Sequence, residues 1–277
     1  MFPPKKIIFA VDFSKQTRAM ARTVREVAQL CGAEVQVLHA IELGPHDFPG
    51  DRLEETERKL DPLITSELAE CETVVHVTPG DPASMIVHVA RNAKSDLIMM
   101  PTHGHGVFLR SALGSVTAKV LHNAPCPVWT SAHQQRSPGY QAHGIRTILC
   151  AVDLGAHSSS VLRTAGEAAR LWSASLRLVH VMEIGEPSTK ADWTPERRDQ
   201  AASAVEGQLR RIAEETGENP IIEVLVGSPA KTVIEAAERC QADLIVVGRT
   251  QAATADAQPS STAYSIIAGS QQPVLSV

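Results

Sequence analysis

Residues Gly80–Gly104 read GDPASMIVHVARNAKSDLIMMPTHG, and Gly227–Gln251 read GSPAKTVIEAAERCQADLIVVGRTQ. The two runs match with no gap, and each joins a helix-like stripe to a short apolar run beginning at an aspartate, Asp96 or Asp243. Outward from this pair the likeness continues. FAVDFS around Asp12 recurs as CAVDLG around Asp153, VLHAIE from Val37 recurs as LVHVME from Leu178, and CPVWT recurs as QPVLS. The separation of Asp12 from Asp153 equals that of His39 from His180, a register that chance does not keep. The chain is therefore two copies of one unit. Between them Ser131–Gly144, SAHQQRSPGYQAHG, is polar and rich in glycine and proline, as linkers are. The boundary falls near residue 140, giving expected domains of 1–133 and 145–277.

Within the first copy the apolar runs KIIFAV, EVQVLHAI, TVVHV, DLIMM and CPVW are short and nearly continuous, the pattern of strands buried on both faces of a parallel sheet. Helical spacing fills the intervals. Met20, Val24, Val27 and Leu30 form one stripe between Ser14, an N-cap residue, and Gly32, a stop. Leu53, Leu60, Leu63, Ile64 and Leu68 form a second, Met85, Ile86 and Val89 a third, and Val116, Val120 and Leu121 a fourth. The order β-α-β-α-β-α-β-α-β with right-handed crossovers predicts an α/β fold, two tandem doubly wound five-stranded parallel sheets with strand order 3-2-1-4-5.

Composition narrows the function. With 277 residues, 43% hydrophobic content and a net charge of -5, the chain has enough apolar material for sizeable cores. Only 4% of residues are aromatic and the balance is acidic, so neither the basic footprint nor the stacking surface for nucleic acid is present. No apolar run is long enough for a membrane span and the start MFPPKKIIFAVDFS lacks a secretory core, so no membrane association and a cytoplasmic location are expected. The cysteines Cys31, Cys71, Cys126, Cys150 and Cys240 are odd in number, scattered and set among apolar residues, which favours buried free thiols. His103 and His105 with His39 invite a metal reading, but no cysteine joins them at ligand spacing. His39 recurs as His180, which favours a shared packing or hydrogen-bonding role, and no metal ligand is assigned.

In a doubly wound sheet the ligand crevice lies beyond the carboxyl ends of the strands where their order reverses. That rule selects the ends of strands one, two and four: Asp12, Ala40 and Met100. The segment that follows strand four, PTHGHGVFLRSALGSV, leads out of that crevice. Gly104 and Gly106 allow close backbone approach, and Gly114-Ser115 opens a helix whose free N–H groups favour an anion. Taken alone, these residues also serve as an ordinary turn with a serine cap. The segment contains neither a Gly-Lys-Ser/Thr phosphate loop nor the dinucleotide fingerprint.

The repeat resembles the universal stress protein family, as a tandem two-domain member, over nearly the whole chain. The nucleotide-binding members of that family share Gly-x2-Gly-x9-Gly-Ser/Thr after strand four, and Gly104 with Gly114-Ser115 fits, while Pro101 stands at the first glycine. The resemblance implies the adenine nucleotide alpha hydrolase-like fold and ATP, with or without magnesium, as ligand. Asp12 and the backbone of Ala40 would meet the adenine end, and Met100, His103, Gly104, Gly114, Ser115 and Val116 would surround the rest of the nucleotide, with Arg110 able to add charge. Copy two departs further. Gly248 aligns with Pro101, but Gln251 replaces the loop glycine, Ser260-Ser261 replaces Gly114-Ser115, and Asp256 adds negative charge. Weak or absent ATP binding there, and a structural role, are expected. The resemblance also implies association through the fifth strands, an intrachain pseudo-dimer that could pair again as a homodimer.

The reading is thus an ATP-binding stress-response module with binding in copy one. Its alternatives are a stress protein that binds no nucleotide and acts as an interaction module, and a weak ATP hydrolase. No catalytic residue is assigned, because Ser14 reads as a helix cap and no nucleophile elbow occurs.

Overall fold

The computed structural model describes residues 2–41, 49–102, 113–131, 144–183, 194–249 and 261–277. Their contacts divide them into two units, 2–131 and 144–249 with 261–277. The first contains β1 (Lys6–Ala10), α1 (Lys15–Cys31), β2 (Glu34–Ile41), α2 (Pro49–Glu67), β3 (Thr73–Pro79), α3 (Pro82–Ala93), β4 (Leu97–Met100), α4 (Ser115–Asn123) and β5 (Val128–Thr130). Its strands are parallel and lie in the order β3-β2-β1-β4-β5. The second unit repeats the series as β6 (Thr147–Ala151), α5 (Ser158–Trp172), β7 (Ser175–Met182), α6 (Pro195–Thr216), β8 (Ile221–Val226), α7 (Pro229–Arg239), β9 (Leu244–Val247), α8 (Ser261–Gly269) and β10 (Val274–Ser276). Its order β10-β9-β6-β7-β8 is the same topology, again parallel.

Handedness assigns the helices to faces. The steps β1 to β2 to β3 run one way across the sheet, so right-handed crossovers put α1 and α2 on one side. The return from β3 to β4 and on to β5 puts α3 and α4 on the other. Accordingly α1 packs on α2 and α3 on α4, as α5 does on α6 and α7 on α8. The central strands are covered on both faces: Ile7, Ile8 and Phe9 of β1 and Leu97, Ile98 and Met99 of β4 are fully buried.

The edge strand departs from the sequence expectation. Val74 and Val75 of β3 are 39% and 37% exposed, because a strand with one neighbour lies at the margin of its helical cover. The helices also refine the predicted stripes. In α1, Ser14 accepts from the Thr17 amide at 3.2 Å and Gly32, at φ +58°, closes the helix. Met20, Val24 and Val27 face inward, but Leu30 is 47% exposed because Cys31 takes the inward position. Leu60 and Leu63 of α2, Leu68 just past its end, Ile86 of α3, and Val120 and Leu121 of α4 are buried. Leu53, Ile64, Met85, Val89 and Val116 are half-buried.

A pair of aspartates fixes strand register. Asp96 Oδ2 accepts from the amides of Lys5 and Lys6 at 2.9 and 3.0 Å, which ties the start of β4 to the start of β1. Asp243 Oδ2 does the same for Arg146 and Thr147 at 2.8 and 2.9 Å. From that pinned end β1 and β4 run in register to their carboxyl ends, Phe9 beside Met99.

All five cysteines are free thiols; Cys31, Cys126 and Cys150 are buried and Cys71 and Cys240 half-buried. Burial pushes the Cys31 thiol up to about 11 against the opposing charge of Lys5, and pushes Cys150 higher still. Among the described residues no helix is long and apolar enough to cross a membrane.

Candidate functional site

Past Ala10 the chain leaves the sheet, with the Val11 amide still donating to Leu38 O at 2.9 Å. Asp12 then turns it into α1. Its Oδ1 accepts from the Ser14 amide at 3.0 Å and from Thr17 Oγ1 at 2.5 Å. Among the described residues nothing donates to Oδ2. The second unit builds the same corner: Asp153 Oδ1 accepts from the Gly155 amide at 2.8 Å and from Ser158 Oγ at 3.3 Å. Phe13 at φ +61° and Leu154 at φ +62° follow the two aspartates in the left-handed region.

Beneath each corner lies a histidine. His39 Nδ1–H donates to Val11 O at 2.7 Å, and His180 Nδ1–H donates to Val152 O at 2.9 Å, since a carbonyl can only accept. The shared role read from their recurrence is this bond. Burial lowers the His39 pKa, with Lys59 adding to the effect and the Val11 bond and the Asp12 charge opposing it. The ring of Phe13 lies 4.6 Å from that of His39, tilted by 54°.

The end of β4 is built differently. Met100 is buried and its carbonyl accepts from the Ser131 amide at 3.3 Å. Pro101 and Thr102 are buried as well. Thr117 Oγ1 donates to both Pro101 O and Thr102 O at 3.2 Å, and the Gly114 amide donates to Thr102 O at 3.1 Å. The start of α4 is thereby clamped onto the end of β4. Gly114 is its N-cap and makes no side-chain cap bond, unlike Ser14 of α1, Asp81 of α3 and Thr194 of α6. The amides of the first turn, from Ser115 to Thr117, have no intrahelical acceptor. Ser115 is exposed and Val116 half-buried.

Asp12, Ala40, Met100, Gly114, Ser115 and Val116 therefore lie at the carboxyl end of one parallel sheet, just past β1, on β2 and β4, and at the N-cap and first turn of α4. Met100 is the outlier, its side chain buried and its carbonyl bonded. His103 and Gly104, with His105, Gly106 and Arg110, lie outside the described residues, as do Gln251, Asp256 and Ser260 of the second unit. There Arg249 holds the place of Thr102 and is 7% exposed, its amide donating to Val277 O at 2.9 Å. Sequence reasoning passed over Phe13, Thr17 and Thr117. The recurrence of an apolar residue directly after Asp12 and Asp153 was the available signal for the first. Among the described residues no three of His, Cys, Asp or Glu converge as metal ligands.

The sequence profile of the universal stress protein family matches residues 3–131 and again 144–277. A universal stress protein of Thermus aquaticus is 33% identical over 134 residues, covering 45% of this chain and 96% of that protein. Universal stress protein A homolog 1 of Coxiella burnetii is 31% identical over 135 residues, covering 45% of this chain and 93% of that protein. Among solved structures, a universal stress protein from Archaeoglobus fulgidus matches with a TM-score of 0.73 at 20% identity, covering 98% of this chain and 95% of that one, a likeness of fold.

Proposed function

We propose that this chain, which belongs to the universal stress protein family, binds ATP in its first unit and that the bound state sets its associations during a stress response. The observation that carries the reading is the start of α4. Gly114 leaves the first-turn amides without a side-chain cap, and Thr117 clamps that turn to the residues that follow β4, whose neighbour is β1. Backbone N–H groups backed by the helix dipole suit phosphate oxygens.

In this reading the amides of Ser115 and Val116 face the phosphates, and His103 and Gly104 complete the cradle. Asp12 keeps Oδ1 for its own corner and offers Oδ2 to a ribose hydroxyl or an exocyclic amine, while the backbone of Ala40 meets the edge of the base. Met100 contributes as the buried floor. Magnesium, where it accompanies ATP, is held by the phosphates. Commitment of Asp12 Oδ1 to Ser14 and Thr17 favours binding over turnover. Unit two, with the buried Arg249 where unit one has Thr102, serves as scaffold.

Titration calorimetry with ATP on the unmodified protein and on Gly114→Asp tests this. Gly114 sits at φ -59° and ψ 143°, extended backbone that aspartate adopts as an N-cap. The variant should keep or slightly raise its thermal midpoint while its new carboxylate occupies the amides and repels phosphate. ATP affinity should fall at least about tenfold, equivalent to ~1.4 kcal/mol. Unchanged ATP affinity in Gly114→Asp refutes the cradle, and no ATP binding by the unmodified protein refutes the function.

A further inference from the structure

Phe13 occupies a costly position. A bulky L-residue at φ +61° is disfavoured by about 1–2 kcal/mol, and the residue is nevertheless left 38% exposed. The second unit separates what the turn needs from what the ring adds. Leu154 holds the same left-handed conformation at φ +62° and His180 makes the same bond to the carbonyl of Val152, so the corner closes without an aromatic side chain. In the first unit the ring is held against His39 at 4.6 Å, and His39 is itself anchored to Val11 O. The two rings form a fixed aromatic corner where β1 and β2 end, one residue from Asp12 and one from Ala40. An exposed aromatic held in a strained conformation at the carboxyl end of a parallel sheet is suited to π-face recognition.

We infer that Phe13, backed by His39, is the stacking surface for a purine base, so that the β1–β2 corner reads the base while α4 holds the phosphates. The inference rests on the nucleotide reading above and adds to it a residue that selects for the base.

The experiment uses the full chain, with ATP and inorganic tripolyphosphate as the two probes in titration calorimetry. Phe13→Leu copies what Leu154 already accommodates, so the corner stays folded. Base stacking on an aromatic side chain is worth enough that ATP affinity in this variant should fall roughly 5- to 150-fold. Tripolyphosphate affinity should not change, and Phe13→Trp should hold ATP at least as tightly as the unmodified protein. Phe13→Leu binding ATP as tightly as the unmodified protein overturns the stacking role and leaves the phosphate cradle standing, as does unmodified protein that binds tripolyphosphate and gains nothing from the adenosine. Equal loss of both probes in Phe13→Leu also overturns it. Unmodified protein that binds neither probe removes the nucleotide reading itself.

Discussion

His39 joins stability and site chemistry in a single ring. Because burial lowers its pKa in the folded protein, the unfolded chain takes up the proton first as the medium is acidified. The stability contributed by the neutral ring is present above the ordinary value of 6.5 and is lost as pH falls below it. Urea midpoints measured from pH 7.5 to 5 should therefore decline more steeply for the unmodified protein than for His39→Gln; parallel curves would contradict the argument. A shared role for this histidine was legible in the sequence, since a polar residue kept at one register of both copies must satisfy a need common to both; that the role is a bond to a carbonyl came from the structure. Phe13 was not legible in the same way. An aromatic residue after an aspartate reads as one more apolar position, and only the folded chain shows that it stays partly open to solvent. Thr117 was hidden for a related reason: its hydroxyl reaches carbonyls of Pro101 and Thr102, and such long-range partners leave no periodic trace.

At the scale of elements, nearly every strand and helix could be read from periodicity and caps, because each is decided by residues within one or two turns of itself. What periodicity could not give was the edge. Whether a strand such as β3 has one neighbour or two depends on chain topology, so TVVHV reads as doubly buried although Val74 and Val75 are open to solvent. On the corresponding edge β8, Glu223 is held by Arg177 at 2.6 Å and Arg239 at 2.8 Å, and charged groups of this kind discourage stray strand pairing. The aspartate clamps also act at this scale. Asp96→Ala and Asp243→Ala each release two backbone amides at a strand start, and each should lower unfolding free energy by about 1 kcal/mol, since the freed groups are largely solvated. Denaturant titration of the two variants checks both the size and the equality of the effect, and no loss in either would mean that register is set elsewhere.

Over the whole molecule, buried area and thiol chemistry give a single map. Cys31, Cys126 and Cys150 lie in the cores, whereas Cys71 and Cys240 are half-exposed, so pulse alkylation of the native protein read by mass spectrometry should label the latter pair first. Early modification of Cys150 would contradict the packing of the second sheet. The tandem organisation was plain in the sequence because repetition is a property of order alone. The divergence of the second copy after its fourth strand was legible as lost glycines and the added charge of Asp256; that an arginine is buried just past β9 followed from the three-dimensional structure. The twin clamps at Asp96 and Asp243 make the polypeptide its own yardstick. Any change introduced at matching positions is weighed twice in one molecule, under identical solvent and temperature, so a discrepancy between halves reports divergence of purpose rather than difference of sample.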